Sequence, residues 1–286
     1  MSDVIEKLGR SLIQHGKSND RIYLMKLDLE DLSEIIEKIE KLAKTEDYSK
    51  IFAKIPTSAT NIFAQAGYHQ EALIPNFFKG RQDVSFMSRF LKPERSKLSQ
   101  KQQEAIKLVL KVAQEKKTHS TTSPQKNYHI RPLKEKDTTQ LASLYKTVFP
   151  SYPFPIFDQN YLLKTMSEHI RYFGAFDGNL LVAASSAETD SDARNAEMTD
   201  FATNPDYRKK GLASELLKTM ELHMKSANFT TLYTIARATS IGINTTFARS
   251  GYIFGGTLYN NTQISGNIES MNVWCKNITQ SAKYSP

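Results

Sequence analysis

The chain has 286 residues, 40% of them hydrophobic and 24% charged, which suffices for a packed core and excludes wholesale disorder. Its formal charge is +8, yet the basic residues are scattered over solvated helix faces rather than gathered among aromatics, so nucleic acid is not an expected partner. A single cysteine excludes an internal disulfide framework or thiolate cluster, and no apolar run approaches the ~20 residues of a membrane span.

In chain order, residues 2–15 read as a short amphipathic helix capped by Ser2 or Asp3, and the start lacks the basic and apolar regions of a signal peptide, so a cytoplasmic location is expected. Arg21–Leu27 alternates as a strand. Leu32, Ile35, Ile36, Ile39 and Leu42 give Leu29–Ala43 a helical period. A strand over Ser49–Ile55, a helix over Thr60–Ala66 stopped by Gly67, a strand over Val84–Leu91 and a long helix over Gln100–Lys116 follow. Residues 118–127 are polar and aperiodic and serve as a linker between a smaller domain, 1–117, and a second one, 128–286.

The second domain reads as a strand (Tyr128–Leu133), a helix (Asp137–Phe149), an aromatic and proline-rich loop to Pro155, and a helix (Gln159–Glu168). Strands Ile170–Phe176 and Leu180–Glu188 flank an Asp177-Gly178-Asn179 turn. A strand over Ala196–Thr203, a helix over Gly211–Ser226, a strand over Thr231–Ala236, a helix over Gly242–Ser250 and a strand over Ser270–Lys276 complete a mixed α/β sheet architecture. One internal repeat links the domains: Phe63-Ala64-Gln65-Ala66-Gly67-Tyr68 matches Phe247-Ala248-Arg249-Ser250-Gly251-Tyr252 at four of six positions.

The chemistry is concentrated at Glu197–Ala213. A strand ends at Thr203, an Asn204-Pro205 turn follows, and Arg208-x-x-Gly211-x-Ala213 opens an amphipathic helix. Unpaired N–H groups and the positive dipole end at a helix start attract anions, small residues let a pyrophosphate approach, and Arg208, Lys209 and Lys210 add charge. Other phosphate-loop patterns are missing from the sequence.

This stretch resembles the Gln/Arg-x-x-Gly-x-Gly/Ala signature of the GNAT acyl-CoA N-acyltransferase superfamily, over about residues 128–276. The first domain then reads as a smaller, degenerate GNAT-like α/β unit. The resemblance implies acetyl-CoA as co-substrate and no metal. It implies a splayed strand at Glu197–Thr203, with the cofactor held by Phe201, Ala202, Thr203, Arg208, Lys209, Lys210, Gly211, Leu212, Ala213, Ser214 and Asn244. A backbone N–H near Ala202 would polarise the thioester carbonyl. The acceptor amine must lose a proton, which assigns Glu197 as general base, with Asp200 as second choice. Phe247 stands where the family often has a tyrosine acid, and Tyr252 and Tyr259 are weak substitutes. Cys275, distant in sequence from the motif, is a poor nucleophile.

A closer resemblance, to the β-lysine N-acetyltransferases, rests on Val148–Pro155, Ala196–Thr203 and the stretch Gly67-Tyr68…Ile74–Gly80. It implies a small-molecule amine, β-lysine, acetylated on its distal nitrogen to a compatible solute. Tyr152, Asp158 and Glu188 could face an ammonium, and Arg171, Lys79 or Arg81 a carboxylate. Alternatives are another amine (a polyamine, another amino acid or a protein amine) or a non-catalytic acyl-CoA-binding module. No oligomeric state is assigned.

Overall fold

The computed structural model describes residues 3–115, 128–152, 154–264 and 266–279; the expected linker lies outside them. The N-terminal half runs β1 (Val4–Leu8), β2 (Ser11–Gly16), β3 (Arg21–Lys26), α1 (Ile35–Thr45), β4 (Lys50–Pro56), α2 (Thr60–Gln65), β5 (His69–Phe78), β6 (Gln82–Phe90), α3 (Pro93–Ser96) and α4 (Gln100–Glu115). The C-terminal half runs β7 (His129–Pro132), α5 (Thr138–Val148), α6 (Gln159–Glu168), β8 (Ile170–Asp177), β9 (Leu180–Asp190), β10 (Asn195–Thr203), α7 (Leu212–Ser226), β11 (Thr231–Arg237), α8 (Ile241–Arg249), β12 (Ile253–Ile264) and β13 (Asn267–Asn277).

The thirteen strands among the described residues form one mixed sheet, in the order β1-β2-β3-β4-β6-β5-β12-β13-β11-β10-β9-β8-β7. Apart from the outer β7, the halves repeat each other. In each, two antiparallel pairings lead to a strand that runs parallel to its next neighbour (β3 with β4, β10 with β11), and a hairpin closes the unit. Equivalent strands β5 and β12 meet antiparallel at the centre, so the two units are arranged about a local two-fold. The repeated hexapeptide builds the same corner twice. Tyr68 N donates to Phe63 O and Tyr252 N to Phe247 O, both at 3.1 Å, and each tyrosine packs edge-on against its phenylalanine.

The seam is close. A Cβ on Gly255 would lie 2.5 Å from Leu73 O and one on Gly256 2.2 Å from Glu71 O, so only glycine fits. Beyond it β12 bulges between Leu258 and Thr262, and the N-terminal half fills the bulge with buried donors. Arg21 Nη1 donates to Asn261 O (2.5 Å), Lys50 Nζ to Tyr259 O (2.7 Å) and Arg95 Nε to Asn260 O (2.8 Å). Lys50 also pairs with Glu71 at 2.8 Å, both side chains sealed from solvent. One hydrophobic cluster spans the seam, joining Phe52, Ile74 and Phe86 to Tyr233, Leu258 and Val273, and α4 packs Ala113 into the core of the C-terminal half.

The expected helix over residues 2–15 is instead the β1–β2 hairpin. Gly9, at φ +68°, turns the chain, and the Arg10 and Ser11 N–H groups donate to the Asp31 carboxylate at 2.8 and 2.7 Å. The helix expected over Leu29–Ala43 breaks into a 3-10 turn at Leu29–Asp31 followed by α1.

Candidate active site

β10 is where the sheet opens. On one side it pairs with β9, with Glu197 opposite Glu188, until a register shift between Thr199 and Ala202 inserts an extra residue. Asp200 takes up that bulge at φ +54°. On the other side β10 is parallel to β11 only over Asn195–Glu197, so its edge from Met198 onward faces a cleft. Asn204 N donates to Val182 O. Strand alternation therefore turns the Ala202 N–H toward its register partner Ala184, and the Phe201 and Thr203 N–H groups toward the cleft. Near Ala202, where the carbonyl-polarising donor is expected, the N–H groups that face the cleft are thus those of Phe201 and Thr203.

At the mouth of the cleft, Asn204 caps a 3-10 turn, its side chain accepting from Asp206 N at 3.1 Å. Lys209 and Gly211 follow in left-handed conformations (φ +62° and +79°), and α7 begins. Ser214 and Glu215 N–H groups already bond to Gly211 O, which leaves those of Leu212 and Ala213 ahead of the ladder. Arg208, Lys209 and Lys210 are exposed around this helix start. Bare N–H groups, a helix dipole and three cations fit a diphosphate. Asn244 does not join them. Its amide donates to Arg237 O and Ser240 O, and accepts from Asn272 and Trp274, all within 2.8–2.9 Å. The expected cofactor contact is thus replaced by a buried cross-brace between α8 and β13.

Beside the cleft lies a cavity of about 530 Å³ walled by both halves. From the C-terminal half come Glu188, Glu197, Asp200, Tyr152 and Tyr161; from the N-terminal half come Gln14, Arg21, Tyr23, Phe52 and Lys54. Burial raises the pKa of Glu197 to about 8, with Glu188 adding repulsion and Lys54 and the Tyr233 hydroxyl opposing it. Glu188 is raised by burial too, and Lys54 again opposes. Asp200 is raised by burial, against hydrogen bonds from Ser186 Oγ (2.5 Å) and the Tyr152 hydroxyl. Burial lowers the pKa of Lys54, but Tyr23, Glu197 and Glu188 outweigh it and the net shift is upward. Lys54 is therefore a cation held among acids.

Of the residues expected to face the acceptor, Tyr152 and Glu188 are in the cavity wall. Asp158 and Arg171 are not. Asp158 is exposed and caps α6, its carboxylate accepting from Asn160 N at 2.8 Å, while exposed Arg171 reaches back to Met166 O at 3.3 Å. Lys79 and Arg81 sit at the β5–β6 hairpin, away from the cavity lining. Phe247 is fully buried between Phe201 and Tyr252; Tyr252 is buried as well, so this corner offers the cleft no exposed hydroxyl. Cys275 is buried, its thiol raised to about 11 by desolvation. Arg21, Tyr23 and Lys54 escaped sequence reasoning. The one available signal was Lys54 itself, a lysine inside the apolar run Ile51-Phe52-Ala53-Lys54-Ile55.

The sequence profile described as Acetyltransferase (GNAT) family matches residues 138–245. The chain is 39% identical to a β-lysine N(6)-acetyltransferase of Methanococcus maripaludis, over 96% of this chain and 99% of that one. It is 32% identical to a β-lysine N(6)-acetyltransferase of Methanosarcina mazei, over 85% and 96% of the two chains. With the N-acetyltransferase YodP of Bacillus subtilis the identity is 31%, over 94% and 96%.

Proposed function

This chain belongs to the β-lysine N(6)-acetyltransferase family of GNAT enzymes, and we propose that it moves the acetyl group of acetyl-CoA directly onto the distal amine of β-lysine. The observation that carries the substrate reading is the half-buried triad Glu188, Glu197 and Asp200, set in the cavity that flanks the open edge of β10. Three acids in a low-dielectric pocket favour a dicationic, elongated amine over a neutral one.

The α7 start holds the diphosphate, with Arg208, Lys209 and Lys210 around it, and the Phe201 and Thr203 backbone edge lies along the pantetheine arm. One of their N–H groups takes up the charge that develops on the thioester oxygen. Free alkylammonium, with a pKa of about 10.4, is not nucleophilic until it loses a proton. Glu197, raised by burial, is suited to receive it, directly or through water, and an ammonium alongside lowers its pKa back toward ionisation. Phe247 leaves the thiolate without a tyrosine acid at that corner, and a thiol of pKa about 8.5 departs without one. The product has one cation fewer than the substrate and is a net-neutral zwitterion, which suits a compatible solute.

The test is kcat/KM with β-lysine, α-lysine and spermidine under saturating acetyl-CoA. β-Lysine should be preferred, with the acetyl group on the distal nitrogen. Preference for spermidine or α-lysine would remove β-lysine as substrate and leave the acetyltransferase standing.

A further inference from the structure

The acid triad accounts for one end of the acceptor, the nitrogen that is acetylated. The far wall of the same cavity, built by β2, β3 and β12, carries Arg21, Gln14 and Asn261, none more than 5% exposed. Each has a buried polar atom with no hydrogen-bond partner among the described residues: Arg21 Nε, Gln14 Nε2 and Asn261 Oδ1. Such atoms are costly to leave unpaired, and their number in one wall is unusual. Two are donors and one is an acceptor. That is the complement of an amino-acid head group, which presents a carboxylate and an ammonium.

Arg21 is built to receive an anion. Its Nη1 is fixed by Asn261 O and by Thr262 Oγ1 at 3.2 Å, and its Cζ lies 5.4 Å from the Tyr23 ring centre and 5.5 Å from that of Phe52. No carboxylate pairs with it among the described residues, and the Nε–Nη2 edge is the one that clamps a carboxylate with two parallel bonds. Burial brings its pKa down to about 10, so it is cationic at neutral pH. The other cations in the wall are less suited. Lys54 is already countered by Glu188 and Glu197, and Lys164 is exposed and screened by water.

Building on the β-lysine reading, we propose that Arg21 and Gln14 bind the acceptor's carboxylate while Asn261 Oδ1 accepts from the ammonium next to it. The N-terminal half is thereby the specificity wall of an enzyme whose chemistry sits in the other half. The substrate spans the cavity with its head group on Arg21 and its distal nitrogen among the acids.

Two comparisons test this. With the unaltered enzyme, kcat/KM is measured for β-lysine, its methyl ester and 1,4-diaminopentane, which keeps both amines and lacks the carboxylate. β-Lysine should lead each by about 10–100-fold, chiefly through KM, as expected for a charge-assisted clamp. The same ratios are then measured for Arg21→Gln and Gln14→Leu, with a cooperative thermal melt as the check on folding. The preference should collapse in Arg21→Gln and shrink in Gln14→Leu. A methyl ester used as well as β-lysine by the unaltered enzyme overturns the assignment whether or not a variant folds. So does a folded Arg21→Gln that keeps the full preference. If the unaltered enzyme prefers the diamine outright, the β-lysine reading falls with it, whereas a β-lysine preference that survives both substitutions removes only the head-group site.

Discussion

Glu197 and Glu188 face each other directly across β9 and β10, an arrangement that costs stability wherever both are ionised. The Glu197 carboxyl titrates at about 8 in the folded protein against 4.5 when free, so its unfavourable contribution is absent at low pH and grows as pH rises between those values. Glu197→Gln should therefore melt with the parent protein near about pH 4–5 and above it near pH 9, by about 2–4 °C per kcal/mol relieved. The same substitution should lower kcat/KM by about 10²–10⁴ at neutral pH. With Glu197 as the base, the parent enzyme should gain activity as Glu197 ionises and level off above about pH 8, while the variant should keep gaining until the amine itself is neutral near 10.4. The deficit should narrow between about pH 8 and 10. A rate within a few-fold of the parent's at pH 7 would pass the role to Asp200 or to no residue. The place of Glu197 on a strand that leads into the Arg208-x-x-Gly211-x-Ala213 signature was legible in the sequence. Arg21 was not, because its partners, Asn261 and Thr262, come from strand β12 some 240 residues further on. Asn244 misled for a related reason: its amide is used up by Asn272 and Trp274, on a strand the motif does not include.

The β3-to-α1 and β10-to-α7 connections are the same element with opposite charge. Each opens on an Asx cap, Asp28 accepting from Glu30 N and Asn204 from Asp206 N, and each continues into a 3-10 turn. Where the second offers Arg208, Lys209 and Lys210, the first offers Glu30, Asp31 and Glu34. By charge alone, a diphosphate would be attracted to the second and repelled by the first. Calorimetric titration should give one acetyl-CoA per chain. Gly211→Asp should abolish that site, since it sets a carboxylate and a Cβ at a left-handed helix start. Two sites in the parent, or unimpaired binding in the variant, would refute the placement. Elements with clean periods, such as α7 and β8–β10, could be read from sequence to within a residue or two. β5 and β12 could not. Pro75 and Asn76 interrupt one, Gly255 and Gly256 open the other, and both carry register shifts that break the two-residue alternation. Their irregularity is what lets the two backbones meet.

Across the whole molecule, the halves are held by a seam of buried polar contacts rather than by a long strand ladder. Lys50 is its pivot, bonded to Glu71 and to Tyr259 O with no access to water. Lys50→Met would leave the Glu71 carboxylate buried without its cation, at a cost of about 3–5 kcal/mol. Chemical denaturation should show that loss, and Lys50→Met with Glu71→Leu should recover much of it. A single variant as stable as the parent would mean that the pair contributes nothing. The two-fold arrangement has one more consequence. Two copies of one topology, joined edge to edge through equivalent strands, amount to a homodimer written into a single polypeptide. A true homodimer must change both subunits with every substitution. Here one copy carries the Arg208-x-x-Gly211-x-Ala213 signature, while the other lacks it and supplies much of the far wall of the cavity. Recognition and reaction can then change independently within one gene.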